Sequence, residues 1–575
     1  MNRLSHKFDF CVIGGGMAGL CAAVSAARGG AKVALVQDRP VFGGNSSSEI
    51  RVHVCGADRH NQKPNMRETG ILEELRMENL SRNPQRSFSI WDTILYEMVL
   101  LEPNIERFLN CSCMEARMDG PLIKSITAWQ LTTQTYHIIE ADIFADCSGD
   151  AILAPLTGAL YRVGREARSE YGESIEPEVA DRKTMGMTCL FQAKDMGTPQ
   201  PFEPHSWAHS YPTEESLPHR NHKWLEMGYW WVELGGECDS IADTEKVRDE
   251  LLKIVYGLWD HIKNHGDHGA ENWALDWVQF LPGKRESRRY TGDHVLTQLD
   301  VEAEGKFEDL VAYGGWTMDD HAPGGFRYPG APTTFYPAPS PYGIAYRCLY
   351  SKNVENLMFA GRCASASHAA MSSTRLMGTA SSMGQAVGTA AAMATKAGIA
   401  PRDVGKSHIH ELQQSLLRQD AYLPWVKQQF SDLTRHATLR ASSGDPEPLR
   451  DGINRPVGAD SHAWVGRVGD SVEYTWKDLH EVKSLTLVLD SALHKLAQMS
   501  YHQRDDQLRH VPEELVKDLR IEVRSGGQWQ PWGTVKGNHH RLVRAPIGAE
   551  LDGVRVIFSS TWGAEDVRVF AFYLE

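Results

Sequence analysis

The sequence predicts an α/β protein whose nucleotide-type domain is interrupted by a mixed α/β insert and followed by an all-β sandwich. Three observations predict it. A glycine-dense turn separates two apolar runs near the start, in DFCVIGGGMAGLCAAVSAARGGAKVALVQ from Asp9. An apolar run followed by a small-residue helix returns in NLMFAGRCASASHAAMSSTRLMGTASSMGQAVGTAAAMATKAG, which ends at Gly398. Beyond residue 455 the hydrophobic period falls to two.

The 575 residues exceed what one core organises. We divide them into a nucleotide-type domain at 1–160, a substrate or cap domain at 161–345, a return of the first domain with a closing helix at 346–430, a turn-rich linker at 431–454 and a sandwich at 455–575. A net charge of −14 and the lack of a long basic run argue against a nucleic-acid partner. No apolar stretch approaches a membrane span. Residues 1–8 are too few for a secretory signal before the first strand, so a cytoplasmic location is expected. The ten cysteines form no CxxC, which fits a reducing compartment and buried thiols.

In chain order, residues 9–13 read as a strand, 17–28 as a helix and 32–36 as a second strand, a βαβ unit. Gly14, Gly16 and Gly19 form GxGxxG within it. The first glycine allows a tight turn, the second lets backbone approach a pyrophosphate, and the third lets helix pack on strand. The helix N-terminus adds free N–H groups and a positive dipole end. Helices are expected at 67–79 and 90–101, a short strand at 105–109, and strands flanking 120–145. The insert is rich in Trp, Tyr, His and Pro and carries a helix near 244–264. The last segment reads as about eight short strands with turns between them, a jelly-roll pattern.

Further glycine signatures follow later strands: Gly43-Gly44-Asn45-Ser46, Cys147-Ser148-Gly149-Asp150 and Phe359-Ala360-Gly361-Arg362. With these, GGNSSSEIRV, RETGILEEL, ADCSGDAILA, PGKRESRR and TRLMGTASSMGQAVGTAAAMA, residues 8 to about 425 resemble the two-dinucleotide-binding-domain flavoproteins of the fumarate-reductase/glutathione-reductase-like fold. Within these the chain most resembles the FAD-dependent oxidoreductase family. The resemblance implies a Rossmann-like domain holding extended FAD. Gly14, Gly16, Met17 and Gly19 would take the pyrophosphate, and Gln37, Asp38 and Arg39 would lie at the adenosine ribose. Cys113 would offer backbone to the adenine, while Gly43, Gly44, Asn45 and Ser46 would pass along the flavin. Gly149, Asp150, Gly361 and Arg362 would line the pyrophosphate and ribityl chain. Met377 and Gly378 would open a helix aimed at the flavin's pyrimidine edge, where its dipole favours the charge of reduced flavin.

Gln37 departs from the pattern, which has a carboxylate there to accept from both ribose hydroxyls. Gln accepts through one atom and donates through another. It either holds one hydroxyl, with Asp38 for the other, or points away. Asn45-Ser46-Ser47-Ser48 carries no redox cysteine pair, so thiol–disulfide chemistry is not expected. Asn45 stands where some relatives attach the flavin through His, so non-covalent FAD is expected. No second loop for NAD(P)H and no iron–sulfur cysteine cluster is present in the sequence.

Oxidising an alcohol requires a base for the hydroxyl proton, and histidine suits neutral pH. His53, His321 and His368 lie in segments expected to approach the flavin; each also reads as a satisfied structural histidine. Arg51 alternates with His53 on one strand face, and Arg285 and Arg288 belong to GKRESRR. These arginines either hold an anionic substrate or form ion pairs with nearby acids. Tyr336 and Tyr342 either bond a sugar or polyol or pack an aromatic loop. Residues 455–575 resemble a discoidin-like, galactose-binding-type sandwich in which Trp464, Trp529 and Trp532 either stack on sugars or fill the core. A role in packing or homo-oligomerisation is the expectation for it.

The resulting expectation is hydride transfer from a hydroxylated small molecule (a sugar, glycoside or polyol) to flavin N5, with an unidentified electron acceptor. Two alternatives remain open. One is reduction of an activated C=C bond, and the other is glycan recognition around a structural flavin.

Overall fold

A computed structural model describes residues 2–500 and 506–575. Five strands form the parallel part of its main sheet, in the order Ile105–Phe108, Val33–Val36, Asn2–Ile13, Thr135–Asp146 and Leu357–Phe359. Leu122–Gln130 and Cys111–Asp119 extend it antiparallel beyond the outer half of Thr135–Asp146. Val33–Val36 is buried throughout, as befits a parallel strand covered on both faces. The first strand is longer than the apolar run that predicts it. The mostly polar residues 2–8 continue the pairing to 135–141 toward the exposed margin of the sheet. The next helix runs Ile71–Arg82 rather than 67–79, because Gly70 at φ +75° turns the chain into it.

Helices Met17–Arg28 and Met377–Ala397 pack against each other on one face of this sheet. Small residues at the crossing let the backbones meet. A Cβ on Gly384 would lie 2.0 Å from the Ala18 carbonyl oxygen, and one on Gly388 would lie 2.0 Å from that of Ala22.

The insert has no large sheet. Glu233–Leu234, Met187–Thr188 and Gly283–Lys284 form one three-stranded patch, and the remaining strands form two-stranded ribbons. Helix Thr244–Asn264 supplies its apolar spine through Leu251, Ile254, Val255, Leu258 and Trp259.

The C-terminal sandwich differs from its expected form in two ways. The stretch 431–454 is not a linker. Thr438–Ala441 pairs with the strand Ser471–Leu489, and Ala437, Leu439 and Leu449 belong to the sandwich core. The eight short strands are also fewer and longer. Ser471–Leu489 and Leu542–Thr561 each absorb two expected strands, bending at register shifts near Thr475/His480 and Val482/Ser484. Trp464 is buried in the core and Trp529 lies 4.0 Å beneath the Arg555 guanidinium, so neither is an open sugar platform. Trp532 is 42% exposed.

Buried polar groups dock this sandwich on the α/β body. Arg67 pairs with Glu73 at 2.7 Å and donates to the Ser491 carbonyl at 3.0 Å. Arg541 pairs with Asp420 at 2.9 Å, and Asn454 donates to the same carboxylate at 2.6 Å. Separating the units would strand these charges. No helix among the described residues is long and apolar enough to cross a membrane, and every cysteine is a free thiol.

The helix crossing generates a prediction. Gly388→Ala forces its methyl group against the Ala22 carbonyl, which is backbone and cannot swing aside. Thermal denaturation is expected to show a loss of about 1–3 kcal/mol, while a change at exposed Lys396 on the same helix costs almost nothing. An unaltered Gly388→Ala midpoint would contradict the crossing.

Candidate functional site

A cavity of about 880 Å³ opens at the carboxyl ends of the parallel strands, where Ile13, Val36, Cys147 and Ala360 stand in its wall. This is the usual ligand position in an open α/β sheet, and the volume falls in the ~300–1,000 Å³ range of cofactor and substrate sites.

One end is built from glycine. Gly14 adopts φ +100°, and a Cβ there would lie 2.5 Å from the Cys147 backbone. A Cβ on Gly19 would strike the Gly14 carbonyl oxygen at 1.8 Å, so Gly19 serves packing and does not line the cavity. Gly16 faces open space except for Gly44, and the Gly43 N–H donates to the Gly15 carbonyl at 2.8 Å, zipping the two glycine loops together. Helix Met17–Arg28 begins here with no side-chain cap and no acidic residue in its first turn. Its leading N–H groups are therefore available to a diphosphate. Helix Met377–Ala397 likewise starts uncapped, and Leu376, Met377 and Ala380 line the same cavity. The Gly378 N–H is used by the Cys55 carbonyl at 2.7 Å.

Gln37 stands in the wall, but its amide is engaged within the protein. Its Oε1 accepts from the Gly15 N–H at 2.7 Å, and its Nε2 donates to the Val41 carbonyl at 3.1 Å. Only an amide does both, which explains why no carboxylate stands there. Asp38, whose side chain is 60% exposed, and Arg39 line the cavity beside it, as does Cys113. Asn45 lines it while donating to the Lys284 carbonyl at 3.2 Å, and Ser46 is buried, donating to Gly43 O at 3.0 Å. Farther along, Arg362 donates to the Gly149 carbonyl at 2.8 Å and pairs with Asp150 at 3.0 Å, and Lys284 pairs with Asp150 at 2.7 Å. Burial opposes ionisation of Asp150, yet Arg362 and Lys284 hold its carboxyl below the usual range.

The other end is polar and cationic. His321 lines it and bonds through Nδ1 to Glu233 at 2.7 Å. Burial, opposed by Glu233 and assisted by Arg285, brings the imidazole down to about 4. Glu233 also accepts the Gly186 N–H at 2.7 Å and pairs with Arg285 at 3.3 Å. Arg285 lines the cavity and donates to Thr188 Oγ1 at 2.6 Å and the Trp230 carbonyl at 2.7 Å. Arg375 joins it there, with a buried Nε that makes no hydrogen bond. Burial, then the neighbouring Arg285, lowers its guanidinium to about 10. Arg375, Glu233 and Lys284 are residues that the sequence reading did not place at the site; for Arg375 a cation directly before the glycine-rich helix was an available signal. His53 lines the cavity too, with its ring 5.3 Å from that of His60.

Several expected site residues lie elsewhere. His368 is sealed between Glu286 at 2.9 Å and Asp320 at 3.2 Å, which raise its pKa well above the ordinary value against the effect of burial. With both nitrogens engaged and no place in the cavity lining, His368 is not positioned to meet a substrate there. Arg51 stacks over Trp277 at 4.3 Å, and Arg288 reaches the Asp150 carbonyl at 3.3 Å; neither lines the cavity. Tyr342 is buried on Ser373 Oγ at 2.6 Å, and Tyr336 lies in a ribbon outside the lining.

The cradle fits a flavin dinucleotide. Its open glycine face and two uncapped helix N-termini suit a diphosphate and an anionic ring system.

The family model described as FAD dependent oxidoreductase matches residues 9–416. No curated protein matches the chain. Among solved structures it is similar to a geranylgeranyl bacteriochlorophyll reductase-like protein from Thermoplasma acidophilum, at 12% identity over 72% of this chain and 86% of that one, with a TM-score of 0.34. It is also similar to the family 32 carbohydrate-binding module of EndoD from Streptococcus pneumoniae, at 15% identity over 25% of this chain and 99% of that one, with a TM-score of 0.20. A family 32 module of C. perfringens NanJ, in complex with galactose, shares 10% identity over 24% of this chain and 93% of that one, with a TM-score of 0.18.

The Gln37 bridge generates a second prediction. Gln37→Glu sets a carboxylate against the Val41 carbonyl and loosens the glycine loop. Its FAD dissociation constant, read by flavin fluorescence, is expected to rise about tenfold, or ~1.4 kcal/mol. Equal or tighter binding would mean that Gln37 does not bridge the loops.

Proposed function

Since the chain belongs to the FAD-dependent oxidoreductase family, we propose that it oxidises a hydroxylated small molecule of the sugar, glycoside or polyol class. The observation that carries this reading is an imidazole, His321, held by Glu233 in the wall of the cavity and brought down to about 4 by its burial. FAD, when bound, supplies a hydride acceptor. Glu233 accepts the Nδ1–H of His321, which leaves Nε2 as the basic atom. As the substrate C–H leaves with its electron pair, the hydroxyl proton passes to Nε2, and Glu233 stabilises the imidazolium that forms. Arg285 and Arg375 stabilise the negative charge that develops on the substrate oxygen in this desolvated pocket. Trp230, Trp316 and Phe335 line the cavity and supply aromatic faces suited to a sugar ring.

A second reading, reduction of an activated C=C bond, draws on one observation. Two neighbouring arginines, one with an Nε that makes no hydrogen bond, suit a carboxylate on an unsaturated acid.

Anaerobic mixing with sugars and polyols tests the first reading. Loss of the oxidised flavin absorbance is expected, and His321→Gln should slow it by about 10²–10⁴-fold with FAD still bound. The rate should be level at neutral pH and fall as pH drops toward about 4, where His321 takes up a proton. Bleaching indifferent to His321 would overturn the assignment of the base. No bleaching, with reoxidation of dye-reduced protein by unsaturated acids, would favour the second reading.

A further inference from the structure

Three histidines and a glutamate converge in the insert, away from the cavity. Glu214 stands in the short turn Glu214–Ser216, and His222 lies in the loop that follows. His261 lies in the last turn of helix Thr244–Asn264, and His268 in the loop beyond it. None of the four lines the cavity. The three imidazole rings sit with centroids 4.9 Å apart in every pairing. One ligand atom from each of the four residues lies within 4.8 Å of all the others.

The orientation of the rings is fixed from behind. His222 Nδ1 meets the Arg220 carbonyl at 2.8 Å, and His261 Nδ1 meets the Tyr211 carbonyl at 2.6 Å. A carbonyl only accepts, so each Nδ1 carries the hydrogen and each Nε2 presents its lone pair inward. The Nε2 atoms of His261 and His268 are buried and make no hydrogen bond. From Glu214 Oε1 the three Nε2 atoms lie at 3.3, 3.6 and 3.7 Å. Of these only the His222 contact is within hydrogen-bonding distance. All three lie close to the ~3.3–3.5 Å edge of a tetrahedron whose metal–ligand bonds are about 2.0–2.1 Å. Left empty, the cluster would turn three lone pairs and a carboxylate on one another.

We propose that Glu214, His222, His261 and His268 bind one divalent transition-metal ion, zinc by preference, in a closed tetrahedral site. Neutral imidazoles with one carboxylate select a borderline metal over Ca²⁺ or Mg²⁺, which take oxygen ligands. Four protein ligands make the site structural. Between Asp195 and Glu233 the chain has no regular structure except the Glu214–Ser216 turn, and so long a loop needs an anchor. The metal ties that loop to the end of its neighbouring helix. Arg220, beside the site, donates to the carbonyls of Gly325 at 2.9 Å and Gly330 at 3.0 Å, and Trp230, farther along the loop, stands in the cavity wall. The ion would thereby fix the loop that carries Trp230 into the cavity wall.

The test uses tag-free holoprotein stripped with a chelator and then titrated with Co²⁺, whose tetrahedral d–d bands lie to the red of flavin absorption. Intense bands that saturate at one equivalent per chain are expected, with zinc displacing cobalt and raising the thermal midpoint. Glu214→Gln and His268→Gln should each weaken Co²⁺ binding by at least about tenfold at unchanged FAD content. Glu214 is 65% exposed at its side chain, so its replacement leaves the fold intact, and that arm decides alone should His268→Gln misfold. Absent bands, or binding that is the same in the Glu214→Gln protein, would overturn the proposal.

Discussion

Backbone pressed directly on backbone is the constraint on which the rest of this structure depends. Gly19 against Gly14, Gly14 against Cys147, and Gly384 and Gly388 against Ala18 and Ala22 are contacts that no side chain larger than hydrogen allows. Together they fix where helices Met17–Arg28 and Met377–Ala397 begin relative to the sheet and to each other. Both N-termini are uncapped and both enter the same cavity. A dinucleotide cradle is thus the product of close packing, and its positive dipole ends are held at a separation that side-chain motion cannot change.

The remaining charges are organised around that cradle in low dielectric. Glu233 serves His321, Arg285 and the Gly186 N–H at once, while burial, assisted by Arg285 and against the pull of Glu233, brings the imidazole down to about 4. His368, enclosed by the carboxylates of Asp320 and Glu286, is shifted in the opposite direction. Two histidines of one chain are thereby driven apart in pKa by their surroundings.

Legibility in the sequence followed the range of the interactions. The glycine turn was readable because its reason is local: Gly14 at φ +100° and a helix that starts three residues later. Gln37 was readable as an anomaly, but its cause is the pairing with Gly15 and Val41, which spacing does not reveal. His321 stood out as a loop histidine, whereas Glu233 lies 88 residues away in the chain and carried no signal. Residues 431–454 have the composition of a linker, yet Thr438–Ala441 gains its pairing from Ser471–Leu489. The histidines at 222, 261 and 268 follow no ligand spacing, since a loop, a helix end and a second loop bring them together.

The central claim is that the glycine cradle holds FAD without a covalent bond. Acid precipitation of the purified native protein, followed by quantification of the flavin left in solution, tests it most directly. The account requires a yellow protein that releases close to one equivalent of intact FAD per chain. A colourless protein that takes up no added FAD, or a flavin that stays with the precipitate, would contradict it.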